Sequence, residues 1–74
     1  MNIKIINDEL FDVYFDDPDG PKEIASRVTL LEATSKVEHL EALNDRRLAI
    51  NDVTARNTVT GKRYGWDDGE WVVA

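Results

Sequence analysis

The segment from Thr29 to Asn44 is the only part of this sequence with the pattern of a stable α-helix. Thr29 precedes an apolar repeat, and Glu32 lies three residues after Thr29, which is the spacing of a capping box. In that motif the Thr hydroxyl accepts from the Glu N–H, and the Glu carboxylate accepts from the Thr N–H. Asn44 suits the left-handed conformation that ends many helices. The sequence therefore predicts a helix over about residues 30–43, with an apolar stripe at Leu30, Ala33, Val37 and Leu40 and with Leu43 near its edge.

Segments with the two-residue period of β-strands precede this helix. One lies near residues 3–6 and another covers residues 11–15, and the pattern leaves open whether residues 3–15 form one bent strand or two. Residues 17–20, Asp-Pro-Asp-Gly, have the composition of a tight turn. Residues 22–28 are expected to return as a strand. A helix starting at residue 22 is the alternative. It is disfavoured because the capping box at Thr29 would then lie inside the helix and would cap no helix end. The strand places on one face Ile24, Ser26 and Val28.

Three further strands are expected after the helix. Residues 48–55 read as a strand, with a bulge near Asn51-Asp52 because the apolar residues change phase there. Residues 57–62 are predicted to form a loop, with Gly61 at the position where the turn favours glycine. If Asp68-Gly69 forms a two-residue hairpin turn, the paired residues are Trp66 with Trp71 and Tyr64 with Val73.

These elements predict an α+β fold in a single small domain of residues 1–74. We expect a small antiparallel β-sheet with one α-helix packed on one face, in the order β-β-α-β-β-β, because the helix stripe needs an apolar partner. The chain has no cysteine, which fits a reducing cytoplasm and excludes disulfides. No apolar run is long enough for a membrane span, and the first residues lack the pattern of a signal peptide. We therefore expect no membrane partner.

The charge of the chain is strongly asymmetric. The net charge is −6, and residues 1–45 hold eleven acidic and four basic residues while residues 46–74 hold four acidic and five basic ones. An acidic surface repels nucleic acid and attracts basic surfaces, although it also serves solubility alone. The acidic run of residues 8–19 contains no base. As partner-binding residues we predict Asp12, Asp16, Asp17 and Asp19, with a second acidic tip formed by Asp67, Asp68 and Glu70.

Two alternatives compete for these acidic residues. Asp17 and Asp19 have turn-forming roles, so the run is also interpreted as turn chemistry and a solvated face. A calcium loop is the other alternative, but the spacing of Asp17, Asp19 and Gly20 is only a fragment of such a loop and lacks its terminal bidentate glutamate.

The aromatic hairpin and the basic residues offer other candidate surfaces. Tyr64, Trp66 and Trp71 would form either a platform for a sugar or protein partner or, as more often in a domain of this size, part of the core. Five basic residues are candidates for phosphate contacts, but no RNA-binding signature accompanies them and the net charge opposes this interpretation, so we expect no direct binding of nucleic acid. They are Arg46, Arg47, Arg56, Lys62 and Arg63.

No pattern of catalytic or metal-binding residues stands out. His39 is the only histidine, and without cysteine a zinc site is disfavoured. Neither Ser26 nor Ser35 lies in a nucleophile elbow, and so small a domain offers little cleft to desolvate paired carboxylates. We therefore expect a binding protein that is not an enzyme and needs no cofactor.

A strand leads into a capped helix at SRVTLLEA, and a terminal meander with an aromatic turn covers TGKRYGWDDGEWV. Over residues 22–74 this arrangement resembles small accessory proteins of bacteriophages and prophages, in particular anti-CRISPR proteins. The resemblance implies an inhibitor in the host bacterial cytoplasm that binds a protein or nucleoprotein effector and blocks its nucleic acid or nuclease partner. It transfers no functional residue. The alternatives are a self-associating phage protein, such as a homodimer formed through the exposed hairpin, and a small carbohydrate-binding module.

Overall fold

A computed structural model describes residues 9–74, so the strand expected near residues 3–6 lies outside the described part of the chain. The strands form one five-stranded antiparallel sheet in the order β2-β1-β3-β4-β5, and α1 packs against one of its faces. The predicted α+β fold is confirmed, and the short helix α2 is an addition to the predicted order. The elements are β1 (Phe11–Phe15), β2 (Lys22–Val28), α1 (Leu30–Ala42), α2 (Arg47–Ile50), β3 (Val53–Asn57), β4 (Arg63–Asp67) and β5 (Glu70–Val73).

The helix α1 has the predicted capping box at its N-terminus. Thr29 Oγ1 accepts a hydrogen bond from the Glu32 N–H at 3.1 Å, and Glu32 Oε1 accepts one from the Thr29 N–H at 3.1 Å. Asn44 has a φ of 54°, the left-handed conformation expected after the helix. Leu43 is 63% exposed, so the apolar stripe ends before it. No helix within residues 9–74 has the length and apolar character to cross a bilayer.

The core lies between α1 and the sheet face that it covers, here called the inner face. β1 contributes its alternate residues to this face, and the register pairs them with alternate residues of β3. The partly buried residues of the β4–β5 hairpin extend the same layer. The buried apolar residues are Phe11, Val13, Phe15, Ala25, Ala33, Val37, Val53 and Ala55. Within residues 9–74 no helix covers the other face, here called the open face.

The turn between β1 and β2 forms as predicted, but the strand after it is irregular. The Gly20 N–H donates to the Asp17 carbonyl at 2.9 Å, and Gly20 has a φ of 119°. The register of β2 on β1 then shifts twice, and Arg27 has a φ of 54°. These bulges break the two-residue period, so Ser26 does not share a buried face with Ile24 and Val28 and is exposed instead. That sequence expectation was wrong.

The predicted strand over residues 48–55 is correct only in its second half. Residues Arg47–Ile50 form the short helix α2, and β3 begins at Val53. The cause is local, because Asp45 Oδ1 accepts a hydrogen bond from the Arg47 N–H at 3.0 Å and supports a helical turn. The phase change near Asn51 is the junction between α2 and β3, and no bulge is needed there.

The C-terminal hairpin has the predicted register. Trp66 pairs with Trp71 and Tyr64 pairs with Val73 across β4 and β5. Asp68 and Gly69 have φ values of 50° and 84°, as a two-residue turn of type I′ requires. The loop before β4 is also as expected, with Gly61 at a φ of 74°.

Candidate partner-binding surface

The two predicted acidic tips lie at the same end of the sheet. β1 and β4 both pair antiparallel with β3, which lies between them, so β1 and β4 run in the same direction. The chain leaves β1 through Asp16 and Asp17, and it leaves β4 at Asp67 and Asp68. Because neighbouring strands are about 4.8 Å apart, the two tips are separated by roughly 10 Å across the sheet.

Seven carboxylate side chains belong to this end of the molecule, which we call the acidic end. Asp52 joins the predicted residues because its carbonyl accepts a hydrogen bond from the Asp16 N–H at 2.8 Å. The base Lys22 pairs with Phe15 at the same end. All but one of the seven residues are exposed, and Asp17 is half-buried. The acidic end consists of Asp16, Asp17, Asp19, Asp52, Asp67, Asp68 and Glu70.

Asp52 is a member that the sequence interpretation missed. The sequence predicts a continuous strand over residues 48–55, and that prediction does not assign Asp52 to either end of the sheet. The available signal was Asp45, whose ability to cap the turn at Arg47 moves the start of β3 to Val53.

The carboxylates of the first tip are held by hydrogen bonds within the protein. Asp16 Oδ2 accepts from Thr54 Oγ1 at 2.5 Å. Asp17 Oδ1 accepts from the Asp19 N–H at 2.9 Å, which is the side-chain bond expected of an aspartate that starts a turn. Turn chemistry therefore explains part of the acidic run. Each carboxylate still has free lone pairs for a partner, because an ionised carboxyl offers about four acceptor sites.

Asp12 is separated from the acidic end. It lies in β1 on the open face, and its Oδ1 accepts from Ser26 Oγ at 3.1 Å and from the Arg27 N–H at 3.2 Å. Its carboxylate thus satisfies the backbone of the β2 bulge, where Arg27 has a positive φ. This arrangement gives Asp12 a structural role in addition to the predicted contact with a partner.

A shallow groove on the open face connects Asp12 with part of the acidic end. Its volume is about 680 Å³. Glu23, which is the cross-strand neighbour of Tyr14, adds a carboxylate that the sequence interpretation did not select. The irregular register of β2 hid its position. The residues lining the groove include Asp12, Tyr14, Asp16, Asp17, Pro18, Pro21, Glu23 and Arg56.

The C-terminal end of α1 points towards the acidic end. α1 starts directly after β2, whose last residue Val28 pairs with Phe11 at the opposite end, and then runs back along the sheet. Glu41, in its last turn, accepts a hydrogen bond at Oε2 from Trp66 Nε1 at 3.1 Å. Because the C-terminal end of a helix carries a partial negative charge, α1 adds to the negative potential there.

An ion pair joins Asp45 and Arg47 after this helix. Arg47 Nη2 lies 2.6 Å from Asp45 Oδ2, and the Arg47 guanidinium also lies over the Phe15 ring at 4.8 Å. The hydrogen bond from the Arg47 side chain, with one from its backbone, lowers the pKa of Asp45 to about 2. The positive charge of Arg47 is therefore already matched by a carboxylate and does not neutralise the acidic end.

The aromatic residues of the hairpin lie on the inner face. The Trp66 and Trp71 rings meet edge to face with centroids 4.9 Å apart, and Trp71 Nε1 donates to Thr34 Oγ1 of α1 at 2.9 Å. Tyr64 packs edge to face against Phe11 at 6.0 Å. All three are half-buried, so they extend the core beneath α1 and do not form an open platform for a sugar.

No cluster of three or more metal-ligating side chains occurs among residues 9–74. His39, on the exposed side of α1, is therefore not part of such a cluster in that range. Comparisons with protein-family models, with curated proteins and with solved structures found no match to this chain. The candidate surface therefore rests on its geometry and charge.

Proposed function

We propose that this protein is a binding protein without enzymatic activity that inserts its acidic end into a basic groove of a macromolecular partner. The supporting observation is the parallel direction of β1 and β4, which brings two separate acidic tips to one end of the molecule. A basic groove that normally holds nucleic acid is the complementary surface for closely spaced carboxylates. The protein would then compete with nucleic acid by charge and by steric exclusion.

The resemblance to anti-CRISPR proteins supplies the proposed class of target. It is a bacterial defence nucleoprotein or nuclease of the CRISPR–Cas type, met in the cytoplasm of the host cell. In this proposal, clustered charge steers the encounter, and the short two-residue turn at Asp68-Gly69 lets the second tip enter a narrow groove. Asp16, Asp17 and Asp19 would meet the same groove about two strands away.

Affinity capture identifies the partner. The tagged protein is incubated with nuclease-treated lysate of bacteria that carry CRISPR–Cas systems, and proteins that remain bound are identified by mass spectrometry. The proposal expects a nucleic-acid-binding effector in near-stoichiometric amount. Recovery of effectors only when nucleic acid is left intact would contradict direct competition for a basic groove.

A charge-reversal variant tests the surface itself. Asp19→Lys with Asp67→Lys changes one residue in each tip, and the matched control Glu9→Lys with Glu38→Lys makes the same change in net charge away from the acidic end. We expect the first variant to lose at least about tenfold in affinity, since breaking a buried charge pair in an interface costs about 2–5 kcal/mol and about 1.4 kcal/mol corresponds to tenfold. The control should bind as the original protein does. Equal losses in both variants would contradict a localised surface.

A further inference from the structure

Gly65 occupies a regular position in the middle of β4 that nothing within the described residues explains. It pairs with Thr54 on β3 and with Val72 on β5, and neither pairing shows a bulge. Its φ is not in the left-handed region, and a Cβ at this position would meet nothing within 4 Å. Glycine inside a strand weakens it, and one common reason for its presence is the close approach of another backbone. Gly65 lies on the open face, where such an approach is possible.

Two arginines lie beside this glycine on the same face. Arg56 and Arg63 are direct cross-strand neighbours on β3 and β4, and both are exposed. Like charges directly opposite each other destabilise a sheet. Asp12 is the cross-strand neighbour of Arg56 on β1, but its Oδ1 accepts from Ser26 Oγ and the Arg27 N–H. Within residues 9–74 neither guanidinium forms an ion pair with a carboxylate. Arg63 precedes Gly65 by two residues and Arg56 follows Thr54 by two, so the arginine pair borders the open space above the glycine.

The chemistry of this surface fits a small cluster of carboxylates on a narrow segment. Two adjacent guanidinium groups offer planar pairs of donors that match carboxylates in two-pronged hydrogen bonds. The open space at Gly65 admits the backbone that carries them. The net charge of −6 opposes a long polyanion such as nucleic acid over the surface as a whole.

We propose that the arginine pair and Gly65 bind the acidic β4–β5 tip of a second copy of this chain. That tip carries Asp67, Asp68 and Glu70, all exposed, on a two-residue turn. The tip and the arginine pair lie at opposite ends of the same strand β4, so the tip of a molecule cannot reach its own arginine pair. The contact joins the tip of one copy to the arginine pair of another, and each copy offers one tip and one receptor. Two copies that exchange tips close into a two-fold dimer, and contacts that are not exchanged in this way produce larger rings or open chains.

Light scattering and sedimentation over micromolar to millimolar concentration test this proposal, which does not depend on the inhibitor function. We expect the average mass of the original protein to rise to that of a dimer or beyond. Arg56→Gln with Arg63→Gln removes the receptor, and Asp67→Asn with Glu70→Gln weakens the tip while keeping the Asp68-Gly69 turn. Each variant alone should remain a monomer. Mixed together they should form a complex that stops at one copy of each.

A matched control and a glycine substitution complete the test. Lys36→Gln with Arg46→Gln removes the same two positive charges elsewhere and should associate as the original protein does. Gly65→Thr fills the open space with a residue that favours strands, so it should raise the urea midpoint of unfolding while weakening association at least tenfold.

Several results would overturn the proposal. They are a monomer at every concentration or association that survives loss of the arginine pair. Binding of a short single-stranded oligonucleotide through Arg56 and Arg63 by a protein that stays monomeric would also overturn it, because the pair would then be a phosphate site.

Discussion

Asp12 Oδ1 accepts a hydrogen bond from the backbone N–H of Arg27 at 3.2 Å, and Arg27 has a φ of 54°. The same oxygen accepts from Ser26 Oγ. A residue other than glycine in the left-handed region costs roughly 1 kcal/mol or more and persists where surrounding contacts hold it. Asp12 is thus a support for the bulge that distorts the edge strand β2, in addition to being part of the acidic run. Distorted edge strands pair poorly with other chains.

We predict that Asp12→Ala lowers the free energy of unfolding by about 1–2 kcal/mol, since it leaves the bulge without its charged acceptor. Asp19→Ala, in the exposed turn, should change stability by less than about 0.5 kcal/mol. Urea unfolding followed by circular dichroism measures both. Equal stability of the two variants would show that Asp12 does not support the bulge.

Loss of the capping hydroxyl in Thr29→Ala should destabilise the protein by about 1 kcal/mol, because one N–H of the first turn of α1 loses its acceptor. Thr29→Ser keeps the hydroxyl and serves as the control, with little change expected. The comparison is made by thermal and urea unfolding. A serine variant as unstable as the alanine variant would point to the methyl group as the stabilising part.

The indole of Trp71 is expected to contribute more through its hydrogen bond than that of Trp66. Trp71→Phe removes the donor to Thr34 Oγ1 in a part-buried site and should cost about 1 kcal/mol beyond the loss of ring area. Trp66→Phe removes an exposed bond to Glu41 and should cost less. Chemical unfolding monitored by far-ultraviolet circular dichroism distinguishes the two. The reverse order would contradict this assignment.

The Asp45–Arg47 pair should make stability depend on pH in the acid range. The pKa of Asp45 is lowered to about 2 in the folded protein from the usual 3.8, so the unfolded chain binds the proton more readily. The contribution is therefore fully present above about pH 4 and is lost as pH falls through about 2. The stability difference between the original protein and Asp45→Asn should shrink over that range. Unfolding curves from pH 2 to 7 test this, and a constant difference would exclude the linkage.

Local sequence signals correctly predicted the elements whose structure depends on neighbouring residues. The capping box at Thr29 and Glu32, the turn at residues 17–20 and the Asp68-Gly69 hairpin each depend on contacts within a few residues of the chain. The apolar period placed β1 correctly over residues 11–15. The α+β fold followed because a helix with one apolar stripe needs a sheet face to cover it. The one local signal that was missed is the turn that Asp45 supports at the start of α2.

Tertiary structure alone decided which of these elements lie together. Strand order and direction place β3 between β1 and β4, and that arrangement brings two acidic tips, separated by about fifty residues, to one end. The same pairing sets Arg56 beside Arg63 and places Gly65 on the open face, which no helix within residues 9–74 covers. The bulges in β2 bring the Arg27 N–H to Asp12 Oδ1, a contact that no alternating pattern predicts. The physical reason is that strand pairing depends on long-range packing against α1, whereas caps and turns depend only on nearby atoms.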